Sequence, residues 1–203
     1  MIDFLYSIDK ALFIFLNQTL SNHVGDFLWP LITDYDKFWI VRCVLAGMWL
    51  WLLVGGGRKG RTVGLLLIPL LLLSDTMSSM VLKAFIHRPR PCSEINGVAV
   101  VQGIHLLVGC GPGKSFPSSH AVNNFAVATL FSFYYRKWSW GFVGWAALVA
   151  LSRPAVGVHY PSDILGGAII GVLISSIVIL VWRSLESRYF PLHDDLNQSG
   201  RAR

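Results

Sequence analysis

Three short segments of the sequence carry cations, histidines, serines and a carboxylate at spacings suited to phosphate chemistry. They cover residues 83–91 (KAFIHRPRP), 117–120 (PSSH) and 152–163 (SRPAVGVHYPSD). A phosphate ester carries nearly two negative charges at neutral pH, because its second pKa is about 6. Arginine binds phosphoryl oxygens through parallel hydrogen bonds, and lysine acts as a point charge. We therefore predict that phosphate is bound by Lys83, Arg90 and Arg153.

The second segment predicts an anion cradle at the start of a helix. Ser118 and Ser119 follow Pro117, and proline favours the first position of a helix. The N–H groups of a helix's first turn have no acceptor within the helix, so they can point at an anion. We predict that Ser118 and Ser119 bind phosphate and that the backbone N–H groups after Pro117 are available to it.

The third segment pairs an imidazole with a carboxylate. His159 and Asp163 are four residues apart, and Pro161 between them is suited to open a helix. A hydrogen bond from one ring nitrogen to this carboxylate fixes the tautomer and leaves the other nitrogen as a nucleophile. We predict that His159 attacks phosphorus to give a phosphohistidine. His120 is the available acid for the leaving oxygen, and the base when water hydrolyses the intermediate.

The composition indicates that these segments belong to a membrane protein. The chain has 203 residues, of which 54% are hydrophobic and 14% charged, and its mean hydropathy is +0.55. An average soluble domain carries about 25% charged residues. This balance excludes a disordered chain and an ordinary soluble domain. Because no repeat or long linker divides the sequence, we predict a single integral membrane domain over residues 1–203.

Five apolar runs predict an all-α bundle of five to six transmembrane helices. At ~1.5 Å per residue, the runs match or slightly undershoot a hydrocarbon core of ~30 Å. Residues 1–37 form an N-terminal region that suits a helix lying at the membrane interface, or a poor sixth span. Residues 185–203 form a polar tail. The five predicted spans are residues 38–54, 62–82, 118–135, 138–152 and 164–182.

Basic residues between the runs predict the orientation of the chain. They cluster at residues 58–61, 136–137 and 183–188, which the alternation of spans brings to one face. The positive-inside rule makes this face cytoplasmic. The long loop over residues 87–117 and the stretch 153–163 then share the opposite face. We therefore predict that the site lies on the external side of the membrane.

Other kinds of site are not indicated. The net charge of +6 comes without the basic and aromatic stripe that is typical of a nucleic-acid surface. Cys43, Cys92 and Cys110 lack the paired spacings of a zinc site, so no metal or other cofactor is implied. Cys92 and Cys110 share one polar loop and can pair in an oxidising compartment, and the sequence leaves this open. We interpret His87 and Arg88 as solvent-exposed residues at the rim of the site.

Together the three segments resemble the three-part signature of the type 2 phosphatidic acid phosphatase (PAP2) superfamily, membrane lipid phosphatases related to vanadium haloperoxidases. The match is Lys, six residues and Arg-Pro; Pro-Ser-x-His; and Ser-Arg, five residues, His, three residues and Asp, in this order over residues 83–163. One departure is Ser119, which stands where glycine is commoner. Its backbone N–H remains a donor, and its side chain adds a hydroxyl.

The resemblance implies a metal-independent phosphatase with an all-helical, vanadium-haloperoxidase-like core. The implied roles are His159 as nucleophile assisted by Asp163, His120 as general acid, and phosphate contacts from Lys83, Arg90, Ser118, Arg153 and the backbone of Ser119.

The resemblance also implies the substrate, a lipid phosphate whose tail stays in the bilayer. Short bacterial proteins of this kind act on undecaprenyl diphosphate, phosphatidylglycerophosphate, phosphatidate or lipid A. We expect hydrolysis of undecaprenyl diphosphate at the periplasmic face of a bacterial inner membrane, with the other lipids as alternatives. A phosphotransferase, in which a lipid or saccharide hydroxyl captures the phosphohistidine, would use the same residues. A channel or transporter that binds anions would leave the pairing of His159 and Asp163 unexplained.

Overall fold

The structure is a computed structural model that describes residues 2–189. Its regular structure is almost entirely helical, which confirms the all-α part of the predicted fold class. A π-helical stretch, Met77–Leu82, joins α4 (Gly57–Thr76) to α5 (Lys83–Phe85), so that Gly57–Phe85 forms one continuous helix. The predicted polar tail lies outside the described residues from residue 190 onward. The helices are α1 (Ile2–Thr19), α2 (His23–Thr33), α3 (Trp39–Val54), α4 (Gly57–Thr76), α5 (Lys83–Phe85), α6 (Ser119–Tyr134), α7 (Ser139–Ala155) and α8 (Pro161–Tyr189).

In the part of the chain that the structure describes, two helices are long and apolar enough to cross a membrane. They are Gly57–Phe85 and Pro161–Tyr189, and α3 is apolar but shorter. α8 also carries a stripe of outward-facing apolar side chains, each more than half exposed. Such a stripe would be unfavourable in water, at ~25 cal/mol per Å² of apolar surface, and is favourable in contact with lipid. Its members are Leu165, Ile169, Leu173, Ile177 and Leu180.

α6 lies at the centre of the bundle and packs against α4, α7 and α8. Its buried face contains Val122, Ala126 and Leu130. Gly167 and Gly171 of α8 meet this face closely, and a Cβ atom on Gly171 would come within 2.3 Å of the carbonyl oxygen of Val122. Small residues four positions apart allow two helix backbones to approach each other. This contact fixes the start of α8 beside the start of α6.

α1 presents several large apolar side chains outward and buries Phe13 and Asn17 against the protein. Phe4, Leu12 and Phe15 are exposed, whereas Asn17 is fully buried. The Asn17 amide donates to the carbonyl oxygens of Pro154 (3.1 Å) and Ala155 (2.9 Å) at the C-terminal end of α7. A helix leaves its last carbonyl groups without intrahelical partners. Asn17 therefore completes the end of α7 and fastens α1 to it.

α2 is a separate helix that the sequence analysis missed, because it assigned residues 1–37 to one region. The side-chain oxygen of Asn22 caps α2 by accepting from the N–H groups of Val24 (3.1 Å) and Gly25 (2.8 Å). Such a cap typically contributes about 1 kcal/mol to helix stability. α2 packs against α7 and ends at Thr33, which is buried.

The loop between α5 and α6 contains a two-stranded antiparallel hairpin, β1 (Glu94–Ile95) and β2 (Val98–Ala99). A disulfide bond joins Cys92 to Cys110, the pairing that the sequence left open. Arg90 donates from Nη1 to the carbonyl oxygen of Cys110 at 2.9 Å. The disulfide and this hydrogen bond together tie Arg90 and Cys92 to Cys110, later in the same loop.

Candidate active site

The loop between α7 and α8 holds His159 beside Asp163. Pro161 begins α8, as predicted, and Asp163 lies in the first turn of that helix. Both side chains are buried, and Nδ1 of His159 lies 3.5 Å from Oδ2 of Asp163. Because the carboxylate faces Nδ1, the other ring nitrogen, Nε2, is the one left for a ligand.

Burial keeps the His159 imidazole neutral. Desolvation lowers the pKa of His159 to about 4, although the nearby Asp163 carboxylate acts in the opposite direction. The positive charges of Arg153 and Arg90 also lower this pKa. A neutral imidazole keeps the lone pair that a nucleophile requires. The same interactions indicate that cations from the first and third segments lie within electrostatic range of His159.

Ser115 is a member of the site that the sequence analysis missed. Its buried hydroxyl donates to Oδ2 of Asp163 at 2.5 Å and lies 3.4 Å from Nδ1 of His159. Its backbone N–H donates to the carbonyl oxygen of Arg88 at 2.8 Å. Ser115 stands outside the three segments, and no spacing in the sequence relates it to Asp163. Only the fold brings these residues together.

Arg88 is partly buried against Asp163, so its interpretation as an exposed rim residue is wrong. Its Nη1 atom donates to Oδ1 of Asp163 (2.8 Å) and to Oγ of Ser162 (2.6 Å). Its Nη2 atom donates to the carboxylate of Asp9 on α1. The guanidinium also lies 4.0 Å from the centroid of the Tyr160 ring. The interpretation failed because the partner carboxylates are 75 and 79 residues away in sequence. His87 is exposed, as expected.

The second segment begins α6, one residue later than predicted. α6 starts at Ser119, Ser118 stands before it as the N-cap, and Pro117 precedes the helix. The N–H of Ser118 donates to the carbonyl oxygen of Asp163 at 3.1 Å, so the prediction that this N–H is free for an anion is wrong. The physical reason is that the first turn of α8 supplies an acceptor. The same bond joins the second segment to the third.

Lys83 joins the first segment to the second. Its Nζ atom donates to Oγ of Ser119 at 3.0 Å. The Ser119 hydroxyl, which the commoner glycine would lack, therefore contacts Lys83, a predicted phosphate ligand. Lys83 also lies within electrostatic range of Arg90, Arg153 and Asp163.

Arg153 lies in the last turn of α7, which extends to Ala155 rather than ending at residue 152. Its side chain is buried, and Nη1 donates to Oγ1 of Thr33 at 2.6 Å. Thr33 belongs to α2, a helix that was not predicted, so its contact with Arg153 was not predicted either. The hydrogen bond fixes one side of the guanidinium.

Three polar atoms of the predicted phosphate ligands are buried and have no hydrogen-bond partner among the described residues. They are Nε of Arg90, Oγ of Ser118 and Nε of Arg153. Buried polar atoms in proteins are normally paired, and an unpaired one costs about 1–3 kcal/mol. Two guanidinium donors and one hydroxyl form a donor set that suits the oxygens of a phosphate group.

His120 lies in the first turn of α6 and is partly buried. It is within electrostatic range of Arg153, His159 and Lys83. Asn124, one turn later, donates to the His120 carbonyl oxygen at 2.9 Å. Asn124 thus contacts the backbone of His120.

Comparisons with known proteins identify the family. The profile of the PAP2 superfamily matches residues 64–186, which contain all three segments. The chain is 31% identical over 175 residues to a lipid A 4'-phosphatase of Bacteroides thetaiotaomicron, covering 84% of this chain and 75% of that protein. It is 29% identical over 171 residues to undecaprenyl-diphosphatase BcrC of Bacillus subtilis, with coverage of 83% and 79%.

The fold is also similar to that of a solved membrane protein. The crystal structure of a transmembrane PAP2 type phosphatidylglycerolphosphate phosphatase from Bacillus subtilis superposes with a TM-score of 0.62 at 20% identity. The superposition covers 93% of this chain and 89% of the other. With the family profile and the relatives above, this shows that the chain belongs to the PAP2 superfamily and is a lipid phosphate phosphatase.

Proposed function

We propose that the protein hydrolyses undecaprenyl diphosphate at the external face of a bacterial inner membrane, through a phosphohistidine and without a metal ion. The observation that carries the proposal is the direct joining of the three segments. Lys83 bonds to Ser119, and the N–H of Ser118 bonds to the carbonyl oxygen of Asp163. The name of one relative, undecaprenyl-diphosphatase BcrC, supports the choice of lipid.

In this proposal the terminal phosphate is bound by Lys83, Arg90 and Arg153. The three cations neutralise its charge, and the unpaired Nε atoms of the two arginines donate to its oxygens. The hydroxyl of Ser118 and the backbone N–H of Ser119 supply further donors. Donors fixed before the substrate arrives also stabilise the charge that develops in the transition state.

The chemistry then proceeds in two displacements. Nε2 of His159 forms a bond to phosphorus while the bond to the bridging oxygen breaks, and His120 donates a proton to that oxygen. The leaving product is undecaprenyl phosphate. Water then attacks the phosphohistidine, His120 takes its proton, and inorganic phosphate leaves with the original imidazole restored. Asp163 holds Nδ1 and stabilises the positive charge that the ring gains on attack.

The proposed membrane placement has five spans: α3, the continuous helix Gly57–Phe85, α6, α7 and α8, with α1 at the interface. α6 has 16 residues, which at ~1.5 Å each gives about 24 Å, less than the ~30 Å hydrocarbon core. With its last turn at one boundary of the core, a helix of this length places its first turn just inside the level of the opposite head groups. The disulfide in the loop before α6 supports an oxidising, external location for this end.

Lipid A is the second candidate substrate, because a 31% identical relative is named lipid A 4'-phosphatase. Phosphatidylglycerophosphate and phosphatidate present the same phosphomonoester to the same donors. A phosphotransferase would also use these residues and differs only in the acceptor that takes the phosphoryl group from His159.

A panel of labelled lipid phosphates, assayed with purified protein in detergent and excess chelator, tests the proposal. We expect label from undecaprenyl diphosphate to appear in inorganic phosphate, and vanadate to inhibit as a phosphate-shaped anion. Preference for lipid A would select the second candidate. Label that passes to an acceptor lipid would support the phosphotransferase, and loss of activity with chelator would contradict a metal-independent reaction.

Substitution of the proposed nucleophile gives the sharpest control. In His159→Asn we expect no turnover, and no phosphate label on the protein after a denaturing quench, because the phosphohistidine cannot form. The matched variant His23→Asn changes an exposed histidine at the start of α2 and should retain activity. Turnover by His159→Asn near the wild-type rate would refute the assignment.

A further inference from the structure

A cleft lies at the opposite end of the bundle from the candidate active site. Its volume is about 720 Å³, and it forms where α4 begins and where α6 and α8 end. The 16 residues of α6 separate the two ends by about 24 Å, so one head group cannot occupy both. We call it the basic cleft, and its polar lining is Lys59, Tyr134, Arg136, Lys137, Arg183 and Glu186.

The basic cleft has an excess of positive charge. Four of its lining residues are cations and one, Glu186, is a carboxylate. Glu186 accepts from Arg58 at 3.0 Å, which lies outside the lining, so its charge is already matched. Among the described side chains of residues 4–189, no carboxylate comes within ion-pair distance of the four lining cations. The three basic clusters recognised in the sequence thus converge on one concavity.

Aromatic rings form the remaining wall of the basic cleft. Phe133, Tyr135 and Trp138 line it, and the Arg183 guanidinium lies 5.8 Å from the centroid of the Phe133 ring. The hydroxyl of Tyr134 is buried there and has no hydrogen-bond partner among the described residues. Buried hydroxyls are normally paired, and a phosphate oxygen is an acceptor that would satisfy this one. Cations, a donor hydroxyl and apolar walls together suit an amphiphilic anion.

We propose that the basic cleft binds the phosphodiester head group of an anionic phospholipid. Basic pockets between helices at the cytoplasmic level of a membrane bind such head groups, and each nearby Lys or Arg strengthens the binding. The general bias of basic residues toward one side explains charge at this end, but not a concavity with a buried, unpaired hydroxyl. The site is separate from the phosphatase chemistry, since a phosphodiester has no terminal phosphate for His159 to remove.

Binding can be measured on the purified full chain by native mass spectrometry of retained phosphatidylglycerol, with phosphatidylcholine as the zwitterionic reference. The double variant Arg136→Gln/Lys137→Gln should weaken phosphatidylglycerol binding by about tenfold or more. The matched control is Arg61→Gln/Arg188→Gln, which removes the same charge from exposed positions outside the lining. The control should stay within about twofold of wild type.

Tyr134→Phe tests the cleft without changing charge. We expect roughly fivefold weaker binding from loss of one hydrogen bond. Unchanged binding in Tyr134→Phe, or equal losses in the two double variants, would overturn the proposal. Inorganic phosphate that binds as tightly as the lipid, and displaces it, would identify a soluble anion as the ligand and also overturn it. Hydrolysis of p-nitrophenyl phosphate should be unchanged in all these variants, so a failure of the proposed hydrolysis would be seen separately.

Discussion

Asp163 is held by donors on both of its carboxylate oxygens. Oδ1 accepts from Arg88 at 2.8 Å, while Oδ2 accepts from the Ser115 hydroxyl at 2.5 Å and the Tyr160 N–H at 2.8 Å. A carboxylate with this set of donors stays negative and cannot rotate. The orientation of His159 therefore depends on residues that do not touch the substrate.

Arg88 provides the first test at the residue scale. Arg88→Gln leaves Asp163 and Asp9 without their cation, and we expect kcat to fall about 100-fold, since a misplacement of ~1 Å can have that effect. Arg88→Lys keeps the charge, so its kcat should fall less. Kinetics on a lipid phosphate will measure both.

Arg42→Gln, at an exposed arginine on α3, is the matched control and should retain activity. A structural role alone would not alter the tautomer of His159. We therefore expect ¹⁵N chemical shifts of His159 to change in Arg88→Gln, and a wild-type spectrum with wild-type kcat would contradict the positioning role.

The protonation of His159 provides a second test. Burial lowers its pKa to about 4, below the ordinary value of ~6.5, so the ring should be neutral at pH 7 and gain its proton only as the pH falls through about 4. NMR titration of histidine-labelled protein in detergent, assigned with His159→Asn, will measure the midpoint. A midpoint at or above the ordinary histidine value would contradict a neutral nucleophile.

At the scale of elements, the contact between α6 and α8 sets the geometry of the site. Ser119 and His120 stand at the start of α6, and Asp163 at the start of α8. Gly167 and Gly171 allow the two helices to approach until backbone meets backbone. Any side chain at this contact must push apart the two helix starts that hold the site.

Gly171→Ala should therefore reduce both stability and activity. Its Cβ atom would meet the Val122 carbonyl oxygen at 2.3 Å, and overpacking of this kind costs about 1–3 kcal/mol. Gly144→Ala on α7 is the control, because a Cβ there meets nothing within 4 Å and alanine is the better helix former. Thermal unfolding in detergent should show a lower midpoint for Gly171→Ala alone. Equal midpoints would contradict the importance of this contact.

At the scale of the whole molecule, the two ends of the bundle differ in chemistry. One end has the candidate active site and the disulfide, and the other has the basic cleft. The positive-inside rule predicts that the basic end is cytoplasmic, and the disulfide favours an oxidising compartment for the end with the candidate active site. Both arguments give the same orientation.

Cysteine labelling in intact cells tests this orientation. In a Cys43→Ala background, we expect Lys37→Cys, near the end with the candidate active site, to react with a membrane-impermeant thiol reagent. Lys137→Cys, at the basic end, should react only after the membrane is opened. Both lysines are exposed, so access across the membrane is the only intended difference. The reverse pattern would place the site on the cytoplasmic side.

Much of the fold and of the site was predictable from local sequence. Apolar runs predicted α3, α6 and α7 to within a few residues, because membrane helices satisfy their backbone groups internally and so depend little on their neighbours. The predicted span 164–182 lies inside α8, which continues to Tyr189. The placement of His159 before the first turn of α8 followed from Pro161 and a spacing of four residues.

Tertiary structure alone decided the partners of these residues. Arg88 and Ser115 meet Asp163, and Thr33 meets Arg153, across 48 to 120 residues of chain. The sequence determined which groups can do the chemistry, since residue type decides whether a position carries an acid, a base or a hydrogen-bond donor. Helix packing decided which side chains orient those groups, and it decided that the N–H of Ser118 is already bonded. That packing joins small residues far apart in sequence, so local spacing carries no information about it.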